Sequence, residues 1–123
     1  MSDEFPNEIL SIITSKEKPT LKVFKEYVTR GHEWLLTRHR SGASGFEIVS
    51  GHTHLIDRLL ERLFIGARKD ALARYPAKEE RCSIVAIGGY GRGELNPHSD
   101  IDILFLYPST ITPYLKALTE GIL

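Results

Sequence analysis

The sequence predicts an α+β fold: an N-terminal helical hairpin leading into the first strands of a small mixed sheet that is cut short. Three observations predict it. Between about Thr20 and Tyr75 apolar residues recur at three- and four-residue steps, with one break at "SGASG" (41–45), as two amphipathic helices joined by a short link would show. After Arg81 the pattern changes to two short β-branched runs, "CSIVAI" (82–87) and "IDILFLY" (101–107). The last segment, "TPYLKALTEGIL", reads as an amphipathic helix just begun, whereas a finished domain more often ends in a polar, frayed tail. The expectation is the front piece of a longer protein.

Each element has its own justification. Residues 1–19 hold Pro6, Pro19 and a short apolar patch from Ile9 to Ile13, and we read them as a loosely tied N-terminal segment. Leu21, Phe24, Tyr27, Val28 and Leu35 define a first helix over about 20–40, with Thr20 as its N-cap. A second helix runs from about Phe46 to Tyr75, its apolar stripe made by Val49, Ile56, Leu59, Leu60, Leu63, Phe64 and Ala67. Pro76 ends it, because proline disfavours helix in the residue before it. A short Gly/Ser link between long helices predicts an antiparallel hairpin, so 20–80 form a helical lead-in. The β-branched runs read as buried strands, with "NPHS" (96–99) turning between them. Two strands alone are marginal in water, so the chain on its own is expected to be poorly stable or to aggregate.

Composition excludes several function classes. The 123 residues carry 16 basic and 16 acidic side chains, so nothing advertises a nucleic-acid or anionic-membrane partner. A single cysteine, Cys82, makes no internal disulfide, and no Cys/His cluster suggests zinc. The start, "MSDEFPNEIL", lacks the basic end and apolar run of a signal peptide, and no apolar run is long enough to span a bilayer. A cytoplasmic setting is expected.

The chemistry concentrates in "AIGGYGRGELNPHSDIDILFLYP" (86–108). Two aspartates, Asp100 and Asp102, fall at i and i+2 in the apolar second run. On a strand they would share one face, about 6.5 Å apart at the α-carbons, and converge on one or two cations. Oxygen ligands of this kind suit Mg²⁺, and shared carboxylates bridge the ions of two-metal phosphoryl-transfer sites. Taken alone, D-x-D fits better with Asp100 capping a turn and Asp102 pairing with an arginine. The glycines change that weighting. Gly88 and Gly89 follow the first strand, where a bare backbone turns sharply and presents its amides to an anion. Arg92 projects from the same loop as a permanent cation suited to phosphate. A Walker A loop would need Gly-Lys-Ser/Thr where Gly93, Glu94 and Leu95 stand, and a dinucleotide fingerprint needs a different glycine spacing.

Other residues are read more plainly. His98 is a turn residue with its ring in water. His52 and His54 point more than half a turn apart and are surface or partly packed. Trp34 packs between helices, "RHR" (38–40) is a basic helix end favourable to the dipole, Tyr90 packs under the loop, and Cys82 is inert.

The string from Gly88-Gly89 through Arg92 to Asp100-Ile101-Asp102 resembles the signature of the DNA polymerase β-type nucleotidyltransferase superfamily. The fuller "GGYGRGELNPHSDIDILFLYP", with "RHRSGASGFEIV" upstream, is similar to the N-terminal part of the bacterial protein-PII uridylyltransferase/uridylyl-removing enzymes. The resemblance is strong over 83–108, moderate over 38–75 and negligible before about residue 20. Bacterial glutamine synthetase adenylyltransferases share an "ELN…SDIDL" element, so "GELNPHSDIDI" alone does not separate the two, and the complete "GGYGRGEL" favours the uridylyltransferases.

The resemblance implies that 81–123 begin a nucleotidyltransferase domain and leave it incomplete. It implies that Gly88 and Gly89 hold the triphosphate, that Arg92 meets the leaving pyrophosphate, and that Asp100 and Asp102 are the catalytic, metal-ligating pair for Mg²⁺. UTP and a PII-type signalling protein are the implied partners, with UMP passing to a tyrosine. The superfamily's third carboxylate lies on a later strand with no counterpart in this chain, and the phosphohydrolase and ligand-sensing domains are likewise outside it. The piece alone is therefore expected to be inactive. Adenylyl transfer to another protein or a small molecule, and a non-catalytic nucleotide-binding regulatory module, stay open beside this.

Overall fold

A computed structural model describes residues 6–15, 19–76, 80–95, 100–108 and 110–122. Among these described residues, five helices and two strands follow in chain order: α1 (Asn7–Thr14), α2 (Leu21–Arg40), α3 (Gly45–Arg74), β1 (Ser83–Ala86), α4 (Gly88–Gly91), β2 (Ile103–Leu106) and α5 (Pro113–Ile122). Both long helices start on a hydroxyl cap. Thr20 Oγ1 accepts from the Val23 amide at 3.4 Å, and Ser44 Oγ accepts from the Glu47 amide at 3.2 Å, each satisfying an amide that lacks an intrahelical partner. Gly42, at φ +100°, makes the reversal between them in a conformation that disfavours side chains.

The hairpin is antiparallel, as its contacts show. Arg38 pairs with Glu47 at 3.1 Å near the link, and Tyr27 Oη donates to the Leu55 carbonyl at 2.8 Å farther along. Gly31 allows the closest approach, because a β-carbon there would collide with the Leu55 side chain. Trp34 packs against the hairpin core, with the Arg38 guanidinium 5.0 Å from its ring centre.

The N-terminal segment departs from expectation. Residues 7–14 form α1, and its Ile9 and Ile13 join Val23, Tyr27 and Leu55 in one buried cluster. Arg62 of α3 donates from Nε to the Ile13 carbonyl at 3.0 Å, closing the C-terminal end of α1 with a cation. The segment is therefore tied to the hairpin. The proline-flanked stretch hid this, since eight residues give little periodicity to read.

α3 serves both halves of the molecule. Its N-terminal half takes α1 and α2. Its C-terminal half packs Ala67 and Ala71 against Tyr114, Leu115 and Leu118 of α5, the helix that Thr112 caps through the Leu115 amide at 3.2 Å. Between these clusters Ile56, Tyr90 and Leu95 form a third, with Ala86 and Ile103 of the strands laid against it.

β1 and β2 pair antiparallel with Ser83 opposite Leu106 and Ala86 opposite Ile103. The strands are shorter than expected and half-exposed rather than buried. Leu104 and Leu106 stand in solvent at 48% and 56% exposure, so only the face bearing Ile103 meets α3. Among the described residues no helix is long and apolar enough to cross a membrane. The expected "NPHS" turn and His98 lie outside the described residues.

If α1 is part of the core, Ile13→Ala leaves a cavity between α1, α2 and α3 and destabilises the fold by about 2–5 kcal/mol. Urea unfolding of the two proteins measures this. A change near zero would return the segment to a loose tether.

Candidate functional site

The site begins where β1 ends. Ile87 continues the ladder by one residue, its amide donating to the Asp102 carbonyl at 3.1 Å. The chain then turns at Gly88, whose φ of +62° lies where L side chains are strained, and coils once through α4. Gly91 comes back over the strand it left: a β-carbon there would sit 2.7 Å from the Ala86 carbonyl oxygen. The Glu94 amide closes the loop on the Gly89 carbonyl at 2.9 Å. The opening amides of a helical turn have no partner within the turn, and the preceding Ile87 offers no side-chain cap.

Asp102 lies against this bend. Its Oδ2 is 3.4 Å from the position a Gly88 β-carbon would take, so the carboxylate stands beside the bare α-carbon. Alternation with Ile103 puts Asp102 on the face away from α3. The strand placement of the aspartates is corrected: β2 begins at Ile103, and Asp100 and Asp102 precede it, both exposed. No burial penalty therefore falls on either carboxylate. Their backbone escapes the strand proper because the ladder ends at the Ile87–Asp102 bond.

Arg92 is exposed and its Nε lies 3.6 Å from Glu94 Oε2. Its Nη2 is 3.7 Å from the site of a Gly89 β-carbon, so the guanidinium folds over the turn. An exposed pair of this kind is worth little. Sequence reasoning did not weigh Glu94.

A loop of glycines has few side chains to hold its shape, and α3 supplies the holding groups. Tyr90, 6% exposed, donates from Oη to Asp57 Oδ1 at 2.6 Å. Burial first, then the hydrogen bond and charge of Asp57, push its phenol above the usual range. Leu95 is fully buried; its amide donates to Thr53 Oγ1 at 3.1 Å, and its carbonyl lies 3.1 Å from His52 Nδ1. A carbonyl only accepts, so Nδ1 carries the proton there.

Tyr90 packs under the loop as expected, and Cys82 is partly buried, its thiol pushed up by burial. His52, by contrast, is a core residue at 3% exposure, and Thr53 and Asp57 went unnoticed. One signal was available. Residues 49, 52, 53, 56, 57 and 60 share one helical face, so His52, Thr53 and Asp57 interrupt an apolar stripe.

A groove of about 580 Å³ opens between α3 and β1, with Asp57, Phe64, Cys82, Ile84 and Tyr90 among its walls. Asp100, Asp102 and Arg92 are not among its walls, so the groove is separate from the Gly88 turn and its neighbouring carboxylate. Among the described residues no group of three or more His, Cys, Asp or Glu side chains is arranged to hold a metal. Asp100 and Asp102 are exposed carboxylates with hard oxygen donors, and Asp102 lies beside the Gly88 turn. That donor set fits Mg²⁺, which keeps several waters and takes phosphate oxygens as further ligands.

Comparison with known proteins agrees with this chemistry. Residues 67–120 match the nucleotidyltransferase domain family. The chain is 38% identical over 114 residues to a bifunctional uridylyltransferase/uridylyl-removing enzyme of Erythrobacter litoralis, covering 88% of this chain and 12% of that protein. A protein of the same description from Caulobacter vibrioides is 36% identical over 104 residues, 84% of this chain and 11% of its own length. That of Phenylobacterium zucineum is 32% identical over 110 residues, 89% of this chain and 12% of its own. The chain thus spans about an eighth of the curated relatives it matches. No solved structure matches it.

Two outcomes follow from the loop geometry. Gly91→Ala forces the turn off the Ala86 carbonyl and costs about 1–3 kcal/mol in thermal unfolding; an unchanged midpoint would mean that the turn is not held there. A raised tyrosine pKa contributes stability that is complete below the unfolded value of about 10 and is lost as pH rises beyond it. Tyr90→Phe is accordingly expected to make the alkaline fall in unfolding midpoint shallower, and an identical slope would remove Tyr90 as its source.

Proposed function

Residues 67–120 of this chain belong to the nucleotidyltransferase domain family, within a sequence related over most of its length to the bifunctional uridylyltransferase/uridylyl-removing enzymes, and on that premise we propose that the protein transfers UMP from UTP to a tyrosine hydroxyl of a PII-type nitrogen-regulatory protein. The observation that carries the proposal is the Asp102 carboxylate set against the Gly88 bend. One place then offers acidic oxygens for a cation and main-chain N–H groups for the phosphates that the cation neutralises.

In this scheme Gly88 and Gly89 bind the triphosphate through their main-chain amides. Arg92 exchanges Glu94 for the departing pyrophosphate and stabilises its charge. Asp100 and Asp102 hold Mg²⁺, which when bound polarises the α-phosphate and shields the leaving group. A tyrosine oxygen forms the new bond to the α-phosphorus as the bond to the bridging oxygen breaks. Pyrophosphate leaves with that oxygen, and the hydroxyl proton passes to water. We place the reaction in the cytoplasm, where UTP is held. These are proposals for the protein as a whole, of whose relatives this chain spans about an eighth.

Incorporation of labelled UMP into a PII protein by the full-length protein is the test. Asp100→Ala with Asp102→Ala is expected to lower it about a hundredfold or more. Unchanged incorporation would end the proposal. Preferential incorporation from ATP would replace it with adenylyl transfer.

A further inference from the structure

Leu95 closes the glycine loop and opens the stretch that leads to Asp100. Both of its main-chain groups are taken by side chains of α3, the amide by Thr53 Oγ1 and the carbonyl by His52 Nδ1, each at 3.1 Å. We propose that His52 and Thr53 are positioning residues: a two-point clamp that sets the orientation of the 88–95 loop, and through it the placing of Arg92 and the phosphate-binding amides. The proposal rests on the nucleotidyltransferase reading above and extends it to residues that touch neither nucleotide nor metal.

A single hydrogen bond fixes a distance and leaves a loop free to swivel about it. Two bonds from adjacent helical residues, one to the N–H and one to the C=O of the same residue, hold the peptide units on both sides of the Leu95 α-carbon and so also fix the direction of the chain there. The clamp is itself braced. Thr53 Oγ1 donates to the Val49 carbonyl at 2.9 Å, which leaves its lone pairs facing the Leu95 amide. His52 Nε2 is 3.2 Å from His32 Nε2, with ring centres 5.1 Å apart. Because Nδ1 must donate to Leu95, the His32 contact holds the ring in that orientation and ties the clamp to α2. The groups are buried at 3% and 8% exposure, so water does not readily substitute for a lost partner. Tyr90 and Asp57 fasten the front of the loop one turn farther along the same helix.

A merely space-filling role makes a different forecast from a clamp, and isosteric variants separate them. His52→Leu and Thr53→Val keep bulk and remove the donor or the acceptor. His52→Asn and Thr53→Ser keep an N–H or an oxygen at the same reach. In full-length protein the first pair is expected to speed amide hydrogen exchange over Gly91–Leu95 about tenfold or more. It should lower kcat for UMP transfer by a similar factor, with KM for the PII acceptor unchanged. The second pair should bring both quantities back to within about threefold of wild type. Wild-type exchange and kcat in His52→Leu, or a His52→Asn protein as impaired as His52→Leu, would overturn the clamp. Should wild-type protein transfer no UMP at all, the functional proposal fails separately, and the exchange arm alone still decides for or against the clamp.

Discussion

The structure depends on the grip that α3 keeps on a loop of glycines. A backbone rich in glycine turns where other residues are excluded, and for the same reason it loses the most conformational freedom on ordering. Without outside support it would sample many shapes, few of them with amides aimed at a common point. Tyr90 on Asp57 and Leu95 on Thr53 and His52 supply that support from one face of one helix. α3 can serve as the anvil because its two halves are themselves held, by α1 and α2 on one side and α5 on the other.

That arrangement separates rigidity from chemistry. The groups that hold the loop are buried against α3, while Arg92, Asp100 and Asp102, to which the proposal gives the ligand, are exposed. Asp100 and Asp102 are exposed, and Arg92 has a weak, solvent-facing partner in Glu94. Under the proposed function a metal–triphosphate would displace water and this loose ion pair without breaking the core. Glycine at 88 is what lets the chain turn beside the carboxylate, at a φ of +62° that L side chains rarely adopt.

Much of this was legible in the sequence, and what was not has physical reasons. Thr20 and the three- and four-residue spacing placed α2 almost to the residue, since capping and burial both act locally. The two β-branched runs located the strands, yet the aspartates fell just outside β2, because pairing ends where the glycine bend begins. α1 was missed: a single eight-residue helix is decided by Ile9 and Ile13 meeting Leu55, a contact that no local pattern announces. His52 was read as a surface or partly packed residue because its partners, His32 and Leu95, are distant in the chain. The local signature singles out the glycines, Arg92 and the aspartates, and the distant contacts that hold the loop require the fold.

The central claim is that one cation-bound nucleotide sits between the Gly88 turn and the two aspartates. Paramagnetic broadening by Mn²⁺, titrated in the presence of UTP into protein labelled with ¹⁵N, tests it most directly. The account predicts that the amides of Gly88, Gly89, Ile101 and Asp102 broaden first and recover when Mg²⁺ is added in excess. Persistence of those signals, with broadening centred on Asp57 and Glu61 beside the α3–β1 groove, would contradict it.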